Sequence, residues 1–326
     1  MKFLISQLLV LLFVISACAQ TEQDLVIGEF RITKITDADT FRFDKLDKPA
    51  RLLSIDTEET FKTPDAKEKI DEIALNWDEF YKLQKGDSKF PVKTDSPLGY
   101  EAWKWAEEFM KDVSKVRLER EADDRSVDIF DRYLVYVIAI KSDGSEVNYN
   151  IECVRNGYSP YFNKYGNSKR FHEQFVEAQE YARENKLGIW DPEKKKYPDY
   201  DERLVWWNKR ADQLENYEKT FAGAEGFVNL SSPADFEKLP NYLGKEVTVF
   251  GGIGKVMTDR FPYLLRIPIT KGVDFDLVIK ESDKQILNEI NIDTVKEFYV
   301  YAKGVIEMYD GSYQIVLQDK EQIWTE

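Results

Sequence analysis

Short β-rich segments fall into two sets along the chain, each broken once by a helix-forming stretch, with a charged, tryptophan-bearing helix between the sets. That order predicts a mainly β protein with helices (α+β), two OB-type five-stranded barrels joined by a helical linker. Cysteine is scarce, with Cys18 and Cys153 alone among 326 residues. Such a chain must fold on apolar cores, and its length readily supplies them.

The amino terminus reads as a targeting segment. Lys2 gives a positive start and Phe3 to Ile15 is almost continuously apolar, so residues 1–17 are expected to be a signal peptide, too short for a comfortable membrane span. Ile15-Ser16-Ala17-Cys18 resembles a bacterial lipobox, which would make Cys18 the acylated first residue of a membrane-anchored lipoprotein and 18–24 its tether. Cleavage near Ala17 or Ala19 with release of a secreted product is the alternative. Lipidation of Cys18 leaves Cys153 without a partner, and Cys153, on a short helix, reads as a buried, inert thiol.

The first barrel is expected over 25–191. Phe30, Ile32 and Ile35 mark its first strand, Phe41 and Phe43 the second, and Leu52 to Ile55 the third. A charged insertion, 61–96, follows; Ile70, Ile73, Ala74 and Trp77 give part of it helical spacing, and it reads as a solvated decoration, with a substrate-gating flap as the sharper alternative. Leu98, Ala102, Trp105, Ala106, Phe109 and Val113 repeat at three and four, the mark of an amphipathic helix opening at Pro97. Val116 and Leu118, then Tyr133 to Ile140, supply two more strands, and Phe171 to Asn185 a closing helix before Gly188 and Trp190.

A linker is expected over 192–225, with Trp206 and Trp207 as an interdomain wedge. The second barrel, over 226–326, is read from strands at 245–258, 263–270, 275–279, 298–308 and 313–317, a helix near 282–290, and the hairpin signal Asp310-Gly311.

The chemistry gathers in three clusters: Asp37-Ala38-Asp39-Thr40, the run from Arg51 to Thr60, and Asp131-Arg132-Tyr133. Asp39 and Asp56 offer oxygen ligands to a hard cation, Glu59 a carboxylate to orient or deprotonate water, and Arg51 and Arg132 planar forks for a phosphate. One histidine, His172, excludes mechanisms built on histidine pairs. The net charge of −14 excludes binding through a broadly basic surface, so affinity for a polyanion must come from a local patch and a bound cation.

These residues carry a resemblance. Asp-x-Asp-Thr at 37–40, Arg-Leu-Leu-x-Ile-Asp-Thr-x-Glu-Thr at 51–60, Asp-x-Phe-x-Arg-x-Leu-x-Tyr from Asp128 to Tyr136, Val154 to Tyr158, His172-Glu173-Gln174 and Lys186 to Trp190 stand in the order of the staphylococcal nuclease (thermonuclease) family. The resemblance implies an OB-type barrel that binds Ca2+ through Asp39, Asp56 and the Thr57 carbonyl. It implies a water positioned by Glu59, a phosphate held by Arg51 and Arg132, and cleavage of DNA or RNA that leaves 3′-phosphate ends. Phe130, Tyr161 and Tyr165 are possible base contacts, with no choice made between the two tyrosines. Ala38 and Asp131 stand where the family pattern has Gly, and Glu58 where it has Pro; Glu58 and Asp131 are expected to add negative charge near the phosphate. The second barrel resembles OB-fold nucleic-acid-binding domains more weakly. A competing reading makes the protein an inactive lipoprotein module that binds nucleic acid or carbohydrate.

Overall fold

The computed structural model describes residues 25–122 and 126–325. The expected signal peptide and lipid anchor, Met1 to Cys18, lie outside the described residues. No helix among the described residues is long and apolar enough to cross a membrane.

The N-terminal part runs β1 (Val26–Phe30), β2 (Ile32–Asp37), β3 (Thr40–Phe43), β4 (Ala50–Leu52), α1 (Ala66–Leu75), α2 (Trp77–Lys85), α3 (Pro97–Phe109), β5 (Val113–Glu119), β6 (Tyr133–Lys141), β7 (Glu146–Asn148), α4 (Tyr149–Arg155) and α5 (His172–Glu184). The strand expected first is two: the chain turns at Arg31, whose amide donates to Asp44 Oδ1 at 2.7 Å, so β1 pairs with β5 and β2 with β3. Sheet order is β1-β5-β6-β4-β3-β2. Because β1 and β2 are consecutive, the path ends beside the strand where it began, and the unit is OB-like, with β4 and β6 as its parallel pair. Phe41, Leu52, Ile55, Leu118, Val135, Val137, Tyr149 and Phe175 fill the interior. Helix α3 starts at Pro97 behind the Ser96 cap and ends at Met110, so Val113, expected on its apolar face, opens β5 instead.

The 61–96 insertion corrects its expected role as a solvated decoration. Trp77 of α2 and Tyr81 form a separate aromatic core with Leu98, Ile189, Tyr197 and Tyr200. The Tyr81 hydroxyl donates to Asp199 at 2.7 Å, and Arg203 Nε donates to the same carboxylate at 2.7 Å. The insertion is thus clamped to the segment after the barrel, because its aromatic face needs a partner that the barrel, already closed, does not offer.

The chain continues with α6 (Tyr200–Phe221), β8 (Phe227–Asn229), α7 (Pro233–Phe236), β9 (Glu246–Gly252), β10 (Lys255–Met257), β11 (Tyr263–Thr270), β12 (Val273–Ile279), α8 (Gln285–Glu289), α9 (Ile292–Glu297), β13 (Tyr299–Val305), β14 (Glu307–Tyr309), β15 (Ser312–Leu317) and β16 (Ile323–Trp324). Two of the expected strands bend and divide, giving β9 with β10 and β13 with β14. The strands form two sheets, β10-β11-β12-β15-β14 and β16-β13-β9-β8, and β12 and β15 are parallel. β8, β16 and α9 lack a periodic signal in the sequence because each is short. On α6, Trp207 meets Phe162 edge-on at 4.7 Å, the Trp206 indole donates to the Glu297 carbonyl, and Tyr217 stacks on Phe250 at 4.5 Å.

The end of the first unit is closed by a backbone contact. Gly157 and Gly188 have φ of 73° and 52°, the Ile189 amide donates to the Gly157 carbonyl at 2.8 Å, and a Cβ on Gly188 would stand 2.0 Å from that oxygen. Gly188→Ala is therefore expected to lower stability by more than about 1 kcal/mol, read from the midpoint of urea unfolding. An unchanged midpoint would refute the contact.

Candidate active site

Strand pairing builds the site. In β4, Arg51 lies opposite Thr40 of β3 and beside Leu134 of β6. Asp39 stands in the β2–β3 turn, and Asp56 lies on the loop leaving β4, its amide tied to Ser159 Oγ at 2.8 Å. The Arg51 guanidinium bridges both aspartates, pairing with Asp39 through one nitrogen and Asp56 through another. The Thr57 amide donates to Asp39 Oδ2 at 3.0 Å, and the Thr40 hydroxyl to Oδ1 at 3.0 Å. Thus Asp39, Arg51, Asp56 and Thr57, distant in sequence, meet in one buried pocket.

Two lysines join them. Lys93 Nζ reaches Asp56 at 2.5 Å, and Lys62 Nζ reaches Asp37 at 2.7 Å and Glu59 at 3.6 Å. Glu59 is half exposed at the rim, its amide donating to the Tyr197 hydroxyl at 3.3 Å and its carbonyl accepting from the Ser96 amide at 3.0 Å. Gly99 packs so close that an added Cβ would stand 2.0 Å from the Glu59 carbonyl oxygen. Arg132 immediately precedes Tyr133, the β6 partner of Ala50, which roots it on the strand beside Arg51. Its guanidinium is held by Asp128, at 2.8 Å through Nε and 2.7 Å through Nη2, and lies over the Phe130 ring at 5.4 Å.

Burial, and next the neighbouring Asp39, push the Asp37 carboxyl up to about 7, against the pull of Lys62. Asp39 is also raised by burial, but Arg51 and then Lys93 outweigh this and hold it well below the usual carboxylate range. The Asp39 and Asp56 carboxylates, brought together around Arg51, are a donor set of hard oxygens. Asp37 Oδ1, buried without a hydrogen-bond partner, adds another. These oxygens fit a hard divalent cation, although no group of three or more His, Cys, Asp or Glu side chains among the described residues encloses a metal by itself.

The remaining candidates separate. Tyr161 is 4% exposed, stacks on Phe175 at 5.0 Å and accepts from the Ser168 amide, so it is a core residue with no face for a base. Tyr165 is 49% exposed and Phe130 68%. Cys153 is buried in the core, and burial pushes its thiol well up, the state of an inert group. Two expected charges need correction. Glu58 turns inward, accepting from the Ser96 hydroxyl, the Tyr197 amide at 2.7 Å and the Tyr200 hydroxyl at 3.0 Å, and burial pushes it up to about 7. Asp131 is neutralised by Lys48 at 2.6 Å. Neither adds free negative charge to the phosphate side, since one is sequestered and the other paired. Asp37, Lys62 and Lys93 were not picked out as site residues from the sequence; Asp37 is half of the Asp-x-Asp pair, but nothing local marks the lysines, which the insertion carries.

Residues 49–192 match the family model described as staphylococcal nuclease homologue. The match covers somewhat less than half of the chain. The matched span contains Arg51, Asp56, Thr57, Glu59 and Arg132, while Asp37 and Asp39 precede it and are brought in by the β2–β3 turn. The chain is also similar to an uncharacterised protein of Methanocaldococcus jannaschii, 26% identical over 164 residues that cover 49% of this chain and 70% of that protein. The family described by that model points to a nuclease-like or nucleic-acid-binding role for the matched span.

Glu58 carries a pH prediction. A carboxyl whose folded pKa lies above its unfolded value favours the protonated fold, so its contribution is fully present below about 4.5 and lost as pH rises through about 7. The loss is on the order of 3 kcal/mol. Thermal melts under a chelator are expected to show that Glu58→Gln shrinks the stability difference between the two ends of this window. An equal difference in both proteins would place the titration elsewhere.

Proposed function

We propose that the protein is a calcium-dependent phosphodiesterase that cleaves DNA, with RNA as a second substrate, outside the cytoplasm and leaves 3′-phosphate ends. The observation that carries this reading is the convergence of Asp39, Arg51 and Asp56 in one buried ion cluster, with Glu59 at its rim. When bound, the cation supplies electrostatic stabilisation of the phosphate charge. Asp39 and Asp56 would hold it with the Thr57 carbonyl. Arg51, relieved of its carboxylates, donates its fork to the scissile phosphate, and Arg132 does so from the neighbouring strand after leaving Asp128. Glu59, half exposed and with Oε2 3.6 Å from Lys62 Nζ, orients water and can take its proton.

In this reading residues 25–191 form the catalytic barrel, 192–225 the linker, and 226–326 a second OB-type barrel; the support for the second is the bent β9–β10 and β13–β14 strands and the parallel β12–β15 pair, which repeat the first unit's order. No cluster equivalent to Asp39, Arg51 and Asp56 was read in its sequence, so binding or packing is its role. Residues 1–18 then supply export and a lipid anchor on Cys18, with a secreted product as the alternative.

Incubating the mature protein with single- and double-stranded DNA is expected to give cleavage with Ca2+ and none with a chelator. Glu59→Gln and Arg132→Ala are each expected to lower turnover by about 10²–10³-fold while oligonucleotide binding changes far less. Cleavage that survives the chelator would overturn the calcium dependence, and no cleavage under either condition would leave the inactive binding module as the better reading.

A further inference from the structure

Near Asp56 lies Lys164, and next to it Arg210, two cations that among the described residues have no carboxylate partner. The segment after Ser159 is laced to the catalytic loop, with Ser159 Oγ accepting from the Asp56 amide at 2.8 Å and the Phe162 amide donating to the Ser54 carbonyl at 2.9 Å. This sets Lys164 within electrostatic reach of Asp56, Lys93, Arg203 and Arg210. Among the described residues the Lys164 ammonium makes no hydrogen bond or ion pair; it lies over the Trp206 ring at 4.1 Å and the Tyr165 ring at 5.7 Å. Arg210, buried on α6, spends its guanidinium on carbonyls, Lys164 at 3.2 Å and Glu297 at 3.0 Å, and on the face of Tyr299 at 4.0 Å, with no carboxylate. Asp56, the nearby anion, is already taken by Arg51 and Lys93.

Burial first, then Arg210, push the Lys164 ammonium down to about 8. An ammonium partly withdrawn from water, with no anion paired to it among the described residues, is unfavourable unless an anionic ligand completes it. We propose that Lys164, backed by Arg210 and joined by Lys93, is a second phosphate site that takes a neighbouring phosphate of the strand held at Arg51, with the exposed ring of Tyr165 as a stacking face for a base. The inference rests on the nucleic-acid reading of the Arg51 pocket and extends it to elements outside the barrel, since the insertion contributes Lys93 and α6 contributes Arg210. Its ligand is single-stranded: stacking on Tyr165 needs an unpaired base.

The test is anisotropy binding of a fluorescein-labelled, cleavage-resistant phosphorothioate single-stranded oligodeoxynucleotide to the full mature protein, in Ca2+, across a salt series. Lys164→Met keeps the aliphatic stem over Trp206. It is expected to weaken affinity roughly ten-fold and to flatten the slope of log affinity against log salt by about 0.7, one phosphate contact on a single strand; Lys164→Arg is expected to restore the slope. Should Lys164→Met fail to fold by thermal melt, Lys93→Ala, at an exposed position, is expected to flatten the slope in the same way. Wild type that binds, with variants whose slopes are unchanged, overturns the second site alone, as does weakened affinity with the wild-type slope. Wild type that does not bind the oligonucleotide overturns the nucleic-acid reading itself.

Discussion

The site depends on one guanidinium. Arg51 joins the β2–β3 turn to the loop after β4 by pairing with Asp39 and Asp56 at once, and the Thr57 amide bonded to Asp39 closes the ring. Two buried carboxylates held this close repel each other, and the guanidinium between them offsets that repulsion. Removing one partner of a buried pair strands the other charge, at a cost of about 3–5 kcal/mol. Stability and chemistry are therefore coupled here: loss of activity on replacing either aspartate reports on the fold of the pocket as much as on a lost ligand. The same pairing gives the pocket an exchange logic. Arg51 and Lys93 already pair with the carboxylates as cations; in the proposed function Asp39 and Asp56 would hold a divalent cation in their place, leaving both side chains to donate to the phosphate.

The departures from the family pattern become intelligible from their surroundings. Asp131 has φ of 66°, a conformation that favours glycine and that a short polar residue tolerates best among the others, and Lys48 removes its charge. Ala38 is buried, and its carbonyl accepts the Tyr149 hydroxyl at 2.9 Å. Glu58 exchanges the stiffness of a proline for three hydrogen bonds that tie the catalytic loop to the α3 cap and to the segment that begins α6. The loop is held from outside the barrel instead of by its own backbone.

What the sequence made legible follows the range of the forces involved. The strands of the first unit, the Pro97 helix and the Asp39, Arg51 and Asp56 cluster were readable because strand alternation, capping and motif spacing are local. The division of a strand at Arg31 was not, since a bend shows only when each half has found its partner, β5 for one and β3 for the other. The docking of the insertion was not either: Trp77 and Tyr81 meet Tyr197 and Tyr200 more than a hundred residues on, and their spacing says only that a helix has an apolar face. Tyr161 and Tyr165 are alike as letters, and burial alone separates the core residue from the exposed one.

An acidic chain that handles a polyanion must confine its attraction. With 60 Asp and Glu against 46 Lys and Arg, the mean field repels a nucleic acid at long range. At physiological ionic strength charges beyond about 8 Å are largely screened, so the decisive quantity is the charge within a few residues of the pocket. There the balance differs from the whole: Glu58 is sequestered, Asp131, Asp39 and Asp56 are paired, and among the described residues Lys164 and Arg210 have no carboxylate partner. In the proposed function the distant acidic surface would slow encounter without preventing capture, and capture through a few short-range contacts would favour an exposed single strand that can enter the pocket over a duplex held at the acidic surface.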